Sequence, residues 1–242
     1  MMVVLGAVIA GFVQGLTGSN FGLVAMGVWA WVLEPVLMTP LIVCGSITGH
    51  LLAARSLPWW RMRALLVPML LGGLLGIPIG VWLLLLIDRN WFCLIIGLLL
   101  TCWCSMMLMA RQLPKIRWGG RGANAFVGWL GGVLSGLGGL SGALPSLWAV
   151  FKGWDRETMR TVVQGFNLAM QCSTVVALLV VGALSGPTLK MLPAVIAGVV
   201  PASLLGMWLY RRLSDQLFSR VVLGLLSVSG LLLVMMSLPK LL

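Results

Sequence analysis

Two stretches of small and polar residues interrupt otherwise apolar sequence. The first holds Thr17, Gly18, Ser19 and Asn20 within Gly11–Gly22 (GFVQGLTGSNFG); the second holds Ser135, Gly136, Gly138, Gly139 and Ser141 within Gly132–Pro145 (GVLSGLGGLSGALP). Glycine costs a helix roughly 1 kcal/mol against alanine, so each stretch predicts a backbone that leaves the helix and re-enters it. At the re-entry point the first N–H groups of the new helix are unpaired and its dipole is positive. An anion can bind there without any cationic side chain. The bland alternative is that the glycines only permit close helix packing and the serines bond back to their own helix. The duplication of the pattern favours a site.

Further polar residues recur on the intervening segments. Gln164, Asn167, Gln171 and Thr174 are spaced i, i+3, i+7, i+10, within about 80° of one another on a helix. Such a stripe in an apolar segment must face protein or water, either at a site or in interhelical hydrogen bonds. The corresponding earlier segment offers Ser46, Gly49, His50 and Ala53 on one face, and His50 is the only histidine. An ionisable group there is a candidate contact for substrate or for a coupled proton.

These residues must be positioned by a membrane fold. Of 242 residues 60% are hydrophobic and 9% charged, far below the roughly 25% charge of soluble domains. The net charge of +11 could suit nucleic acid, but the Lys and Arg residues cluster at the ends of apolar runs, as the positive-inside rule uses them, so no nucleic-acid partner is expected. Met1–Asn20 carries no charge, so a cleaved leader is not expected either. The cysteines Cys44, Cys93, Cys102, Cys104 and Cys172 fall in apolar segments and read as small buried hydrophobes. Neither a metal site nor a disulfide framework follows from their spacing.

Crossing a bilayer takes about 20 helical residues. Spans of that order can be drawn at Val36–Ala54, Ala64–Ile87, Trp91–Ala110, Thr161–Ser185, Met191–Tyr210 and Val221–Leu238. The broken pairs Met2–Leu16/Phe21–Leu33 and Ala123–Leu137/Leu140–Phe151 are shorter, so each is a re-entrant hairpin or a kinked crossing. As hairpins they divide the basic residues 13 against 3 between the two sides; as single crossings, 9 against 7. The bias favours hairpins, with the loops at Arg55–Arg63, Arg111–Arg121, Lys152–Arg160 and Arg211–Arg220 in the cytoplasm and both termini outside.

The expected fold is therefore an all-α integral membrane protein of two inverted repeats, each a glycine-broken re-entrant helix pair plus three transmembrane helices. Residues 1–110 form the first repeat, 111–122 a cytoplasmic linker and 123–242 the second. At an offset of 118, Thr17 and Gly18 fall on Ser135 and Gly136; at 126, Gly80–Leu83 falls on Gly206–Leu209; at 127, Asp88 and Gly97 fall on Asp215 and Gly224. Inverted repeats with broken helices are a recurrent plan of secondary transporters.

The segments AGFVQGLTGSNFGLVAM and GVLSGLGGLSGALPSLWAVFKGWDRETMRTVVQGFN, with the two-repeat layout, resemble the sulfite exporter TauE/SafE family. That resemblance implies a multi-pass inner-membrane protein that moves sulfite, organosulfonates or related small anions. One departure is Ser19-Asn20, where the family more often has glycine and an aromatic residue. The substrate-binding candidates are Thr17, Gly18, Ser19, Asn20, Ser135, Gly136, Gly138, Gly139, Ser141, Gln164, Asn167 and Gln171, with His50 as a proton or substrate contact. The expected partners are a small anion and the lipid bilayer, a homodimer being compatible with both, and no cofactor is expected.

Two rivals stay open at this point. A channel-like anion conduit would use the same site. Gly139-Leu140-Ser141-Gly142 resembles the G-x-S-G nucleophile context of rhomboid proteases, but a serine nucleophile needs a base, and in that family the histidine follows the serine; here His50 precedes Ser141 by 91 residues. No catalytic residue is expected on that count. All five acidic residues, Glu34, Asp88, Asp155, Glu157 and Asp215, fall at turns, which disfavours a cation site built from a buried carboxylate.

Overall fold

The computed structural model describes residues 2–17, 20–53, 62–109, 115–116, 118–184, 186–210 and 215–238. Every regular element among them is a helix: α1 (Met2–Thr17), α2 (Phe21–Trp29), α3 (Pro35–Ala53), α4 (Arg63–Leu86), α5 (Arg89–Leu108), α6 (Arg121–Gly138), α7 (Ala143–Lys152), α8 (Arg156–Val180), α9 (Gly186–Tyr210) and α10 (Asp215–Ser237). Helices α3, α4, α5, α8 and α9 are long and apolar enough to cross a membrane. α10 corresponds to the last expected span and has 23 residues.

Local chemistry sets the ends of these helices. α8 starts five residues before the expected apolar span, because Asp155 caps it: its carboxylate accepts the Thr158 N–H at 3.0 Å and the Thr158 hydroxyl at 2.6 Å. It closes on Gly182 at φ 71°, where the N–H groups of Gly182 and Ala183 take the carbonyls of Leu179 and Leu178. α9 likewise starts early, at Gly186, with Pro187 in its first turn, where a missing N–H costs nothing.

Both short helix pairs are hairpins that return to the end they entered from. In the first, the Trp29 indole Nε1, at the end of α2, donates to the Val3 carbonyl at the start of α1, 3.1 Å away. In the second, Ile116 N–H donates to the Phe151 carbonyl at 2.7 Å, and Lys152 Nζ donates to the carbonyls of Trp118 and Gly119. The end of α7 is thus tied to the segment leading into α6.

Glycines decide which helices lie alongside each other. α4 presents Gly72, Gly76 and Gly80, and α6 presents Gly128, Gly132 and Gly136, each row spaced by four on one helix face. A Cβ on Gly72 would strike the Ala125 carbonyl, on Gly76 that of Trp129, and on Gly132 that of Gly73, so the two backbones run in contact and in the same direction. α1 and α9 repeat the arrangement, with Gly11 against Val199, and Gly15 and Gly206 each against backbone of the partner helix. α5 and α10 pack with opposite sense, Gly97 lying by Gly230 and Val234, and Gly230 by Thr101.

The hairpins enter from opposite ends of α4. α6 starts beside the start of α4, with Gly128 on Met69. The end of α2 lies at the other end of α4, where Arg89 Nη1 pairs with Glu34 at 3.1 Å and Arg89 Nη2 donates to the Trp31 carbonyl. Their tips meet in the interior. The outer surface of the spans is apolar, with Leu75, Leu86, Trp82 and Val180 all more than half exposed, as a lipid-facing surface requires.

Candidate functional site

The second break forms where α6 ends in the left-handed conformation at Gly139, φ 70°. The N–H groups of Gly139 and Leu140 take the carbonyls of Ser135 and Leu134. The first break turns at Asn20, φ 75° and ψ 9°, the only non-glycine residue with positive φ among the described residues. Asparagine is the side chain that tolerates this region best after glycine. Neither Asn20 nor Gly142, which precede α2 and α7, gives a side-chain cap to the helix it opens.

Both breaks line one small cavity. Asn20, Phe21, Gly22 and Leu23 line it from the first hairpin, and Gly139, Leu140, Ser141, Gly142 and Ala143 from the second. Ser46 and His50 of α3 and Asn167 and Gln171 of α8 complete the wall. Ser46 and His50 precede Asn167 and Gln171 by the same 121 residues, and the two pairs face the same space. Two helix N-termini point their positive dipole ends there, and among the described residues no Asp, Glu, Lys or Arg lines it.

The half of the wall from α6 to α8 is internally bonded. Ser141 Oγ donates to Asn167 Oδ1 at 2.9 Å, and Gln171 Nε2 donates to the Gly139 carbonyl at 2.8 Å and to Ser141 Oγ at 3.3 Å. Gly142 is glycine because a Cβ would lie 2.6 Å from the Asn167 amide. Open valences remain on both sides: His50 of α3 is 3% exposed and its Nδ1 has no hydrogen-bond partner, and the Gln171 Oε1 of α8 is also unpaired. Buried polar atoms without partners are uncommon, and two of them, His50 Nδ1 and Gln171 Oε1, belong to side chains that line this cavity.

Of the sequence candidates, Asn20, His50, Gly139, Ser141, Asn167 and Gln171 come together. Thr17 bonds back to the Val13 carbonyl at 2.8 Å. Ser135 is fully buried and shares a 2.8 Å hydrogen bond with Thr174 away from the lining. Gly136 faces α4, where a Cβ would lie 2.5 Å from the Ile77 carbonyl, and Gly138 sits against the Met26 methyl. Gln164 is buried on α8 outside the lining. Gly18 and Ser19 lie outside the described residues.

Sequence reasoning passed over three supports of the site. Gln14 of α1 donates to the Ser46 carbonyl at 2.9 Å and its amide fills the space beside Gly49; a lone amide in an apolar helix was the available signal. Thr39 donates to the Leu137 carbonyl at 3.0 Å and the Trp103 indole to the Ala143 carbonyl at 2.6 Å, each holding one side of the second break. Nothing in the sequence marks those two pairings. The Ser141 hydroxyl is engaged by amides, which cannot take its proton, and no hydrogen bond joins it to His50. Among the described residues no three His, Cys, Asp or Glu lie close enough to hold a metal ion.

The family model for the sulfite exporter TauE/SafE matches residues 3–233. No curated protein and no solved structure matches the chain.

Proposed function

Because the chain belongs to the sulfite exporter TauE/SafE family, we propose that it is a secondary transporter that exports a small sulfur oxyanion, sulfite or an organosulfonate. It is a multi-pass membrane protein of a transporter family, not of an enzyme family. The observation that carries the substrate class is the convergence of two helix N-termini with hydroxyl and amide side chains on one cavity free of carboxylates. Such a wall offers N–H and O–H donors to a tetrahedral or pyramidal oxyanion and offers no oxygen cage to a cation.

Alternating access around the two breaks is supported by the reciprocal packing. α1 lies along α9 and α6 along α4, so each hairpin rests on a long helix of the other half, as an inverted repeat would place it. A relative shift of the halves would expose the tips to one side and then the other. Arg63, Lys115, Arg121 and Lys152 stand at the end of the molecule where α6 begins, and Arg89 at the opposite end. The positive-inside rule puts the former in the cytoplasm of an inner membrane, with the start of α1 outside. Radiolabelled sulfite flux into proteoliposomes tests the assignment: a transporter shows saturation and counterflow, and unsaturable flux without counterflow would instead identify a conduit.

A further inference from the structure

The two halves of the cavity wall match in position but not in bonding. Asn167 Oδ1 accepts from Ser141 and Gln171 Nε2 donates to the Gly139 carbonyl, whereas 121 residues before Gln171 stands His50, buried, with its ring Nδ1 unpartnered. Among the described residues His50 is also the only ionisable side chain in the lining. Resting on the anion-site reading above, we propose that His50 takes up a proton together with the oxyanion, so that anion and proton occupy the cavity, and leave it, as a pair.

The physical case is one of mutual compensation. A charged imidazole alone in a buried cavity lacks a partner, and so does an oxyanion held only by dipoles. A proton from water joining a ring nitrogen turns the ring into a two-donor cation, and the anion opposite supplies its counter-charge. Among the described residues no other lining group competes for that role. α1 and α2 carry no ionisable side chain; the elements otherwise packed against α3 carry Arg63 on α4, Arg121 on α6, Glu157, Arg160 and Cys172 on α8, and Lys190 on α9, none of them in the lining, and also Arg156 and Tyr210, whose side chains are not among those described. Cys44, on α3 itself, is also outside it.

Methanesulfonate is a suitable probe because it carries no proton to exchange. Calorimetric titration of the detergent-solubilised protein with it, at pH 8 in buffers of different ionisation enthalpy, counts protons taken up per anion bound. Wild type should approach one, and its affinity should fall by up to about tenfold per pH unit above the imidazole range. His50→Gln and His50→Asn, checked for unchanged elution and melting, should bind about tenfold more weakly at pH 6, take up no proton and show a flat pH profile. Proton uptake that persists in both variants, or a flat profile in wild type, overturns the proposal. If only sulfite binds, the same count is made at a pH where sulfite is fully ionised. Failure of the underlying reading looks different: neither anion binds wild type, or binding is untouched by Gly22→Ala and Ser141→Ala.

Discussion

Gly22 and Gly139 face each other across the meeting point of the two hairpins, and a Cβ built on Gly22 would lie 2.7 Å from the Gly139 carbonyl oxygen. Both belong to the lining of the cavity, so the separation of the tips sets its shape. The obstacle is backbone, not a flexible side chain, and cannot swing aside.

Gly22→Ala should therefore spread the tips, at about 1–3 kcal/mol of stability as overpacking costs, and lower sulfite flux by more than the loss of folded protein explains. Gly122→Ala is the control, since a Cβ there meets nothing within 4 Å. Flux normalised to monodisperse protein decides, and equal flux in both variants would show that the tips can separate without consequence.

Sidedness gives a second expectation. Lys115 and Lys190 are both exposed, one beside Gly153 at the end of α7 and the other in the opening turns of α9. In intact cells an impermeant thiol reagent should modify Lys190→Cys and spare Lys115→Cys until the membrane is opened. Labelling of Lys115→Cys from outside would reverse the orientation.

How far these features were legible from the sequence varies with the range of the interaction behind them. The breaks were legible because glycine and serine in apolar sequence act locally, and the hairpins because charge bias reports on loops one at a time. Asn167 and Gln171 were legible as a polar stripe. Ser135 and Gly136 belong to the same break and carry the same residue types as Ser141 and Gly139, yet one pairs with Thr174 and the other rests on Ile77. Which face of a broken helix turns to its partner depends on α4, far away in the chain. The Trp103 and Gln14 pairings were hidden for the same reason, since their acceptors are carbonyls, which every residue has.

A third prediction concerns pH. The Thr158 hydroxyl, and with it the Thr158 N–H, holds the Asp155 carboxyl below its ordinary value of 3.8. A depressed carboxylate contributes stability that is present above the unfolded value and is lost as pH falls through the folded one. Wild type should thus lose a component of its melting temperature as pH drops below about 4, and Asp155→Asn should lack that component. Parallel melting curves of the two proteins in detergent between pH 5 and pH 3 would mean that the cap carries no charge-dependent part.

The last prediction separates a cavity built from dipoles and hydroxyls from a cationic pocket at the surface. Lys152 Nζ donates to the Trp118 and Gly119 carbonyls and lies 5.6 Å from the centre of the Trp148 ring, at the mouth end of the second hairpin. Its charge can draw an anion in from the cytoplasm but does not line the site. Lys152→Gln should therefore slow sulfite entry mainly at low ionic strength, and the deficit should shrink as salt is raised from about 0.01 M to 0.15 M, where the screening length falls from about 30 Å to 8 Å. Ser141→Ala removes a hydroxyl bonded at short range to Asn167 inside the cavity, beyond the reach of screening. It should weaken sulfite binding by about 0.5–1.5 kcal/mol at every salt concentration, more if the lost bond is to the charged ligand itself. Binding measured across one salt series for both variants decides between the two designs. Should Lys152→Gln abolish binding at all salt concentrations while Ser141→Ala is silent, the anion rests on the cytoplasmic surface and the meeting point of the hairpins is only a place where helices pack.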